Sequence, residues 1–289
     1  MPSIIKNSIK LFSALSINQV ASIIRIGNAF VYDNINKYNS TDIDTISTDA
    51  VNWYVDAKKE DIYLESIDGY KQHALLFNNT NKCIVFVHDM DKDFLSLIEY
   101  AYRFYKLGYS TLLIDLRGHN LSEGKFTYGI KESADLAIFI DYIFNNYKYS
   151  INLFSEGISS GILLMTLNII NKDHIESVVI KDTCLSYKNY LEKYFKDLKL
   201  NNTSQLFSYI RTLILSKYNF DINELDYLSF LKNINVPICF VEKKIEEEKV
   251  LRLYHKKTNG IRKIYFYNEC NLLNDEFYKT LNLYYNKSF

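Results

Sequence analysis

Residues 150 to 161 read Ser-Ile-Asn-Leu-Phe-Ser-Glu-Gly-Ile-Ser-Ser-Gly. An apolar run, Ile151 to Phe154, ends in small residues, and a helical apolar pattern through Ile162, Leu163, Leu164, Met165 and Leu167 follows. A strand, a sharp turn and a helix in that order can lift a serine above a sheet for acyl transfer. That chemistry needs a hydroxyl, an imidazole to take its proton, and a carboxylate to fix the imidazole's tautomer. Without gaps, the three residues after Phe154 are Ser155, Glu156 and Gly157, so a glycine stands where the hydroxyl belongs. Glycine suits that place, because such turns need a positive φ that it adopts without steric cost. A second register exists. Residues 157 to 161 spell G-x-S-x-G around Ser159, but this puts the serine in the helix's first turn and requires a two-residue insertion. Ser159 is therefore the alternative nucleophile, against a plainer role for Ser155, Ser159 and Ser160 in close packing and helix capping.

A second motif, Asp115-Leu116-Arg117-Gly118-His119-Asn120-Leu121-Ser122-Glu123-Gly124, follows the apolar run Ser110 to Ile114. His88-Asp89 follows the previous run, Cys83 to Val87. Glu65-Ser66-Ile67-Asp68-Gly69 precedes both, and Tyr128-Gly129, Glu132 and Asp135-Leu136 follow. Over about residues 60 to 289 the chain resembles the α/β-hydrolase superfamily, in particular bacterial hydrolases of the serine-aminopeptidase and monoacylglycerol-lipase type. The resemblance implies a nucleophile position at Gly157, an acid position at Glu246 after the run Pro237 to Val241, and a histidine position at Asn271 after Lys263 to Tyr267. It implies oxyanion-binding N–H groups at Met90 and Ile158. It gives His88, Arg117 and His119 structural roles near the site, and it sets Asp89 where the family has glycine. No histidine follows His255, and asparagine cannot act as a general base near neutral pH. The implied protein is a catalytically degenerate hydrolase that binds a small apolar or acyl ligand, or a protein partner. The alternative is an active serine esterase or peptidase working through Ser159. The resemblance further implies that Gly157→Ser with Asn271→His would rebuild weak esterase activity, which Asp89→Gly would raise.

The rest of the composition excludes other classes. The chain has 34 basic and 34 acidic side chains, so no basic surplus points to nucleic acid. The four cysteines (83, 184, 239 and 270) include no C-x-x-C pair, and the five histidines show no metal-ligand spacing, so no metal is expected. No Gly-rich phosphate loop is present, and no cofactor is expected. Scattered thiols suit a reducing cytoplasm. Leu11 to Ile24 is mostly apolar, but Asn18 and Gln19 interrupt it and Lys6, Lys10 and Arg25 bracket it. It is too short to span a bilayer, and residues 1–36 are expected to form helix that packs on the protein or touches a membrane surface peripherally.

These residues need a scaffold, and the pattern supplies one. Residues 1–57 read as a helical extension ending in a polar linker over 37–49. Residues 58–289 alternate strand and helix. Strand patterns cover 61–66, 70–77, 83–87, 110–114, 151–154, 177–180, 237–241 and 263–267; helical patterns cover 92–107, 130–147, 157–171, 246–257 and 274–286. This alternation predicts a doubly wound, mostly parallel α/β sheet. Residues 186–235 carry helical patterns and no strand, as expected of a helical cap inserted near the sheet's C-terminal edge, where open α/β sheets bind ligands.

Overall fold

A computed structural model of the chain describes residues 15–32, 46–184, 186–197, 199–243, 262–267 and 274–286. The strand patterns form eight strands: β1 (Glu60–Glu65), β2 (Lys71–Phe77), β3 (Lys82–Val87), β4 (Ser110–Ile114), β5 (Ser150–Glu156), β6 (Ile175–Lys181), β7 (Ile238–Lys243) and β8 (Arg262–Tyr267). They make one sheet of order β1-β2-β4-β3-β5-β6-β7-β8. The β1/β2 and β2/β4 pairs are antiparallel, and the rest are parallel. Strands β3 to β6 are apolar on both faces because helices cover both faces, the expected signature of a parallel sheet.

One face packs against α2 (Thr48–Asp56), α3 (Ile98–Lys106) and α8 (Asp275–Tyr285). Phe86, Phe104, Phe154, Phe277 and Tyr285 join there in one buried cluster. On α4 (Glu132–Tyr147), Phe139, Ile140 and Ile143 are buried, as are Ile162 and Leu163 on α5 (Ser159–Thr166). The polar run 37–49 does not simply continue as linker to residue 57. Ser47 accepts from the Ala50 N–H and caps α2, and the Trp53 ring packs tilted against Phe77 with centroids 4.3 Å apart. Ser47 itself donates to buried Glu99, from both its N–H and its hydroxyl. That tie is non-local, and the helix begins inside the polar run, so its start was hidden in the sequence.

The chain divides into two compact units. One holds residues 40–183 and 228–289, and thus the whole sheet. The other holds residues 1–39 and 184–227. It contains α1 (Ile17–Tyr32), α6 (Tyr187–Asp197) and α7 (Thr203–Tyr218). Within it α1 lies on α7, with Gly27 so close that a Cβ there would meet Tyr209 Cδ1 at 2.5 Å. The helical pattern at 246–257 lies outside the described residues.

Candidate functional site

Strand register builds the site. Val87 pairs with Ile114 on one side and with Ser155 on the other, while Glu156 pairs with Lys181. The C-terminal ends of β4, β3, β5 and β6 therefore lie side by side. From β3 the chain crosses to β4 on one side and then returns to β5 on the other, so the sheet's switch point falls between β3 and β5. Such a crevice is where open α/β sheets bind ligands.

Gly157 stands at the turn between β5 and α5 with φ +62°. Its N–H donates to the Lys181 carbonyl at 3.0 Å, and its carbonyl accepts from the Ser160 hydroxyl at 2.7 Å. Ser159 lies in the first turn of α5, fully buried, and its hydroxyl donates to the His88 carbonyl. The apex of the turn is residue 157.

Opposite it lies Asp89. Its Oδ1 accepts from the Met90 N–H at 2.7 Å and from the Ile158 N–H at 3.0 Å. These are the two amides whose convergence the sequence resemblance implied, and both point at one carboxylate oxygen of the chain itself. The other oxygen, Oδ2, fills the space beside Gly157: a Cβ built there would lie 1.7 Å from it. Burial, then the nearby charges of Asp91 and Glu156, push the Asp89 carboxyl up to about 7.

The two histidines of the region brace loops. His88 faces the Asp89 carbonyl through Nδ1 at 2.8 Å, and its Nε2 accepts from the Leu116 N–H at 3.1 Å. Those bonds require the proton on Nδ1. Burial, then His119, hold His88 well below the ordinary histidine value. His119 faces the Met90 carbonyl through Nε2 at 2.8 Å and the Arg117 carbonyl through Nδ1 at 3.0 Å, so it sets the peptide that follows Met90. Arg117 is buried and grips Asp135 and Asp68, each through two hydrogen bonds of 2.8 to 3.0 Å.

A chain of buried charge that sequence reasoning missed runs beside the turn. Glu156 binds Lys92 at 2.8 Å and Lys181 at 3.4 Å. Lys181 binds Asp182 at 2.8 Å, and the Tyr267 hydroxyl donates to Asp182 at 2.6 Å. Burial opposes ionisation of Glu156, but Lys181 and Lys92 outweigh it and hold the carboxyl below its ordinary value. For Asp182, too, burial is outweighed by Lys181 and Tyr267. The available signal was Lys181, a cation closing an apolar strand directly across from Glu156. Glu246 and Asn271 lie outside the described residues. Among the described residues no group of His, Cys, Asp and Glu is arranged to hold a metal ion.

Solved structures share this architecture. An esterase of Pyrococcus furiosus, Pf2001, superposes with a TM-score of 0.63 at 16% identity, over 82% of this chain and 93% of its own. An alpha-beta hydrolase of Vibrio vulnificus gives 0.61 at 13% identity, over 93% and 94%. The esterase EaEST of Exiguobacterium antarcticum gives 0.58 at 13% identity, over 78% and 100%. This chain has the α/β-hydrolase fold. In sequence, the hydrolase-fold chain is 23% identical over 259 residues to an uncharacterized Bacillus subtilis protein, YqkD, covering 82% of this chain and 83% of that one. No family model matches it. Likeness at these identities carries the fold to this chain, while the chemistry has to be argued from its own residues.

Proposed function

We propose that this chain is a hydrolase-fold protein that binds a small apolar or acyl ligand, or a protein partner, without turning it over. One observation carries the reading: a carboxylate, Asp89, occupies the paired amides beside a glycine turn. Serine acyl transfer requires the opposite arrangement. A hydroxyl should project from the turn, and the amides should be free for an oxygen that becomes negative in the transition state. The resident Asp89 side chain would block that oxygen, because its Oδ1 already takes both N–H groups. Ser159 offers no substitute, since its buried hydroxyl donates to a main-chain carbonyl, and a serine without a base has little nucleophilicity. The serine-aminopeptidase and monoacylglycerol-lipase type is retained as the ancestry this reading favours, resting on the Asp115–Gly124 motif.

The test is active-site labelling. Full-length protein incubated with a fluorophosphonate probe is expected to remain unlabelled at any pH at which it is folded. Stoichiometric labelling at Ser159, found by peptide mass, would overturn the reading and make this chain a serine hydrolase of unusual register. For residues 1–36 we propose packing on the protein or peripheral membrane contact in the cytoplasm. Among the described residues no helix is long and apolar enough to cross a membrane. Detergent-dependent extraction that is lost when residues 1–36 are deleted would favour the membrane contact.

A further inference from the structure

The Met90 and Ile158 amides converge on Asp89 Oδ1 from two separate segments, the loop after β3 and the start of α5. Two main-chain N–H donors favour the ionised form of the carboxyl they hold. The second oxygen, Oδ2, lies over Gly157 in the space that a Cβ would take. Asp89 is only partly buried, and among the described residues nothing donates to Oδ2. A hydrogen-bond acceptor thus stands at the turn, where acyl transfer would need donors. We propose that this crevice is an ammonium seat: it takes a small primary amine with a short apolar body, whose N–H groups bind Asp89 Oδ2. The proposal names the ligand of the non-catalytic reading above and rests on it, because it requires that no substrate oxygen uses the two amides.

The charges around the turn call for a cation. Asp89, Asp91, Glu156 and Asp182 face only two ammonium groups, those of Lys92 and Lys181. Lys92 pairs with Glu156 at 2.8 Å, and Lys181 pairs with Glu156 at 3.4 Å and with Asp182 at 2.8 Å. Neither lysine pairs with Asp89 or Asp91, and Asp91 Oδ1 is buried without a hydrogen-bond partner. A buried acceptor left unpaired is costly, and here it lies on the same loop as the open Oδ2. Burial, Asp91 and Glu156 push the Asp89 carboxyl up to about 7, as expected of an acid lacking a counter-ion, which a bound ammonium supplies. A metal ion is the poorer occupant. It needs several oxygens converging on one point, and among the described residues no acidic group is so arranged. An ammonium carries three separate donors and can bind a single oxygen with each. The seat is also rigid, since His119 holds the Met90 carbonyl at 2.8 Å and His88 faces the Asp89 carbonyl at 2.8 Å.

The experiment titrates the ¹⁵N-labelled full chain with n-butylammonium and, separately, with butyrate. NMR reads the Met90 and Ile158 amides at about pH 8, where the amine is still protonated. Butylammonium should shift both amides saturably, in the millimolar range that so small a ligand allows, and butyrate should shift neither. Asp89→Asn keeps an oxygen for both amides but removes the charge and puts N–H donors in place of the open acceptor. Its affinity for butylammonium should fall by roughly ten- to a hundred-fold. No saturable shift with butylammonium, equal affinity for butyrate, or unchanged affinity in Asp89→Asn would overturn the ammonium seat. If the variant does not fold, the two wild-type titrations decide alone. Hydrolysis of p-nitrophenyl butyrate, followed in parallel, separates the two ideas. Wild-type turnover would overturn the non-catalytic reading and leave the titrations standing, whereas flat titrations without turnover would overturn only the ammonium seat.

Discussion

The Asp89 carboxylate and Gly157 occupy each other's space: Oδ2 lies 1.7 Å from where a residue-157 Cβ would stand. Either residue therefore dictates the other. A side chain at 157 must eject Asp89, and the Met90 and Ile158 N–H groups then lose their acceptor, at roughly 1–3 kcal/mol. The left-handed backbone at 157 adds about 1–2 kcal/mol for any residue with a Cβ. Gly157→Ala is thus expected to destabilise by about 2–5 kcal/mol. In an Asp89→Gly background it should cost only the backbone part. Urea denaturation of the four proteins of this cycle measures the coupling, and simple additivity would show that the two residues do not contend for one space.

The ion-pair chain should matter for stability in a pH-dependent way. Glu156→Gln leaves Lys92 without its carboxylate partner, while Lys181 keeps Asp182. Glu156 is buried but the Lys92 side chain is one-third exposed, so breaking the pair is expected to cost about 1–2 kcal/mol, between the surface and buried cases. The Glu156 carboxyl is held below its ordinary 4.5, so its contribution is fully present above that value and is lost as the pH falls through the depressed one. Thermal unfolding should show wild type and variant well separated at neutral pH and converging in acid. A constant gap between the two would show that the pair does not depend on the charge of Glu156.

His73 works with the opposite sign. It lies buried on β2, with Nδ1 2.6 Å from Asp115 and Nε2 3.0 Å from Asp61. Burial opposes its charge, but the bonds to Asp115 and Asp61 prevail and raise it above the ordinary 6.5. Its contribution is then fully present below 6.5 and fades as the pH rises through the raised value. His73→Gln is expected to destabilise by about 1–3 kcal/mol in mild acid and by less in alkali. A loss that grew with pH would contradict the assignment.

Much of this was legible in the sequence, for identifiable reasons. Continuous apolar runs gave the central parallel strands within a few residues, because a sheet buried on both faces leaves no polar alternation to confuse with helix, while β1 and β2 were legible from alternation on either side of Asp68-Gly69. The Asp115–Gly124 motif located the loop whose Arg117 and His119 now prove to grip Asp135, Asp68 and the Met90 carbonyl. What stayed hidden depends on register. Asp89 could be recognised as a misplaced carboxylate, but its seat on the two amides follows from β3 pairing with β5, 69 residues away from Asp89 at Ile158. Lys181 read as the residue after a strand until its pairing with Glu156 placed it inside. The α2 helix stayed hidden because its start lies inside the polar run 37–49, where a single serine makes both its cap and its tie to Glu99.

Restoring catalysis tests the whole arrangement. On sequence alone, Gly157→Ser with Asn271→His would supply the missing nucleophile and base, with Asp89→Gly as an improvement. The geometry reverses that order and makes the Asp89 change the enabling step. In the two-residue variant the new serine displaces Asp89, but the carboxylate stays tethered to the peptide of Met90 and opposes negative charge on the adjoining amides. That variant is expected to show no turnover of short activated esters. With Asp89→Gly added, the amides of Met90 and Ile158 are free, and they need no particular side chain to stabilise an oxyanion. One oxyanion donor is worth about a hundred- to a thousand-fold in rate, so even a poorly aligned base should leave measurable hydrolysis and fluorophosphonate labelling at residue 157. Asp89→Gly with Gly157→Ser but without Asn271→His should label far more slowly, because the serine then lacks a base. Equal activity with and without the Asp89 change would show that the carboxylate does not govern the amide pair. A folded three-residue variant that neither labels nor turns over would show that the residues around 271 do not bring an imidazole to the turn.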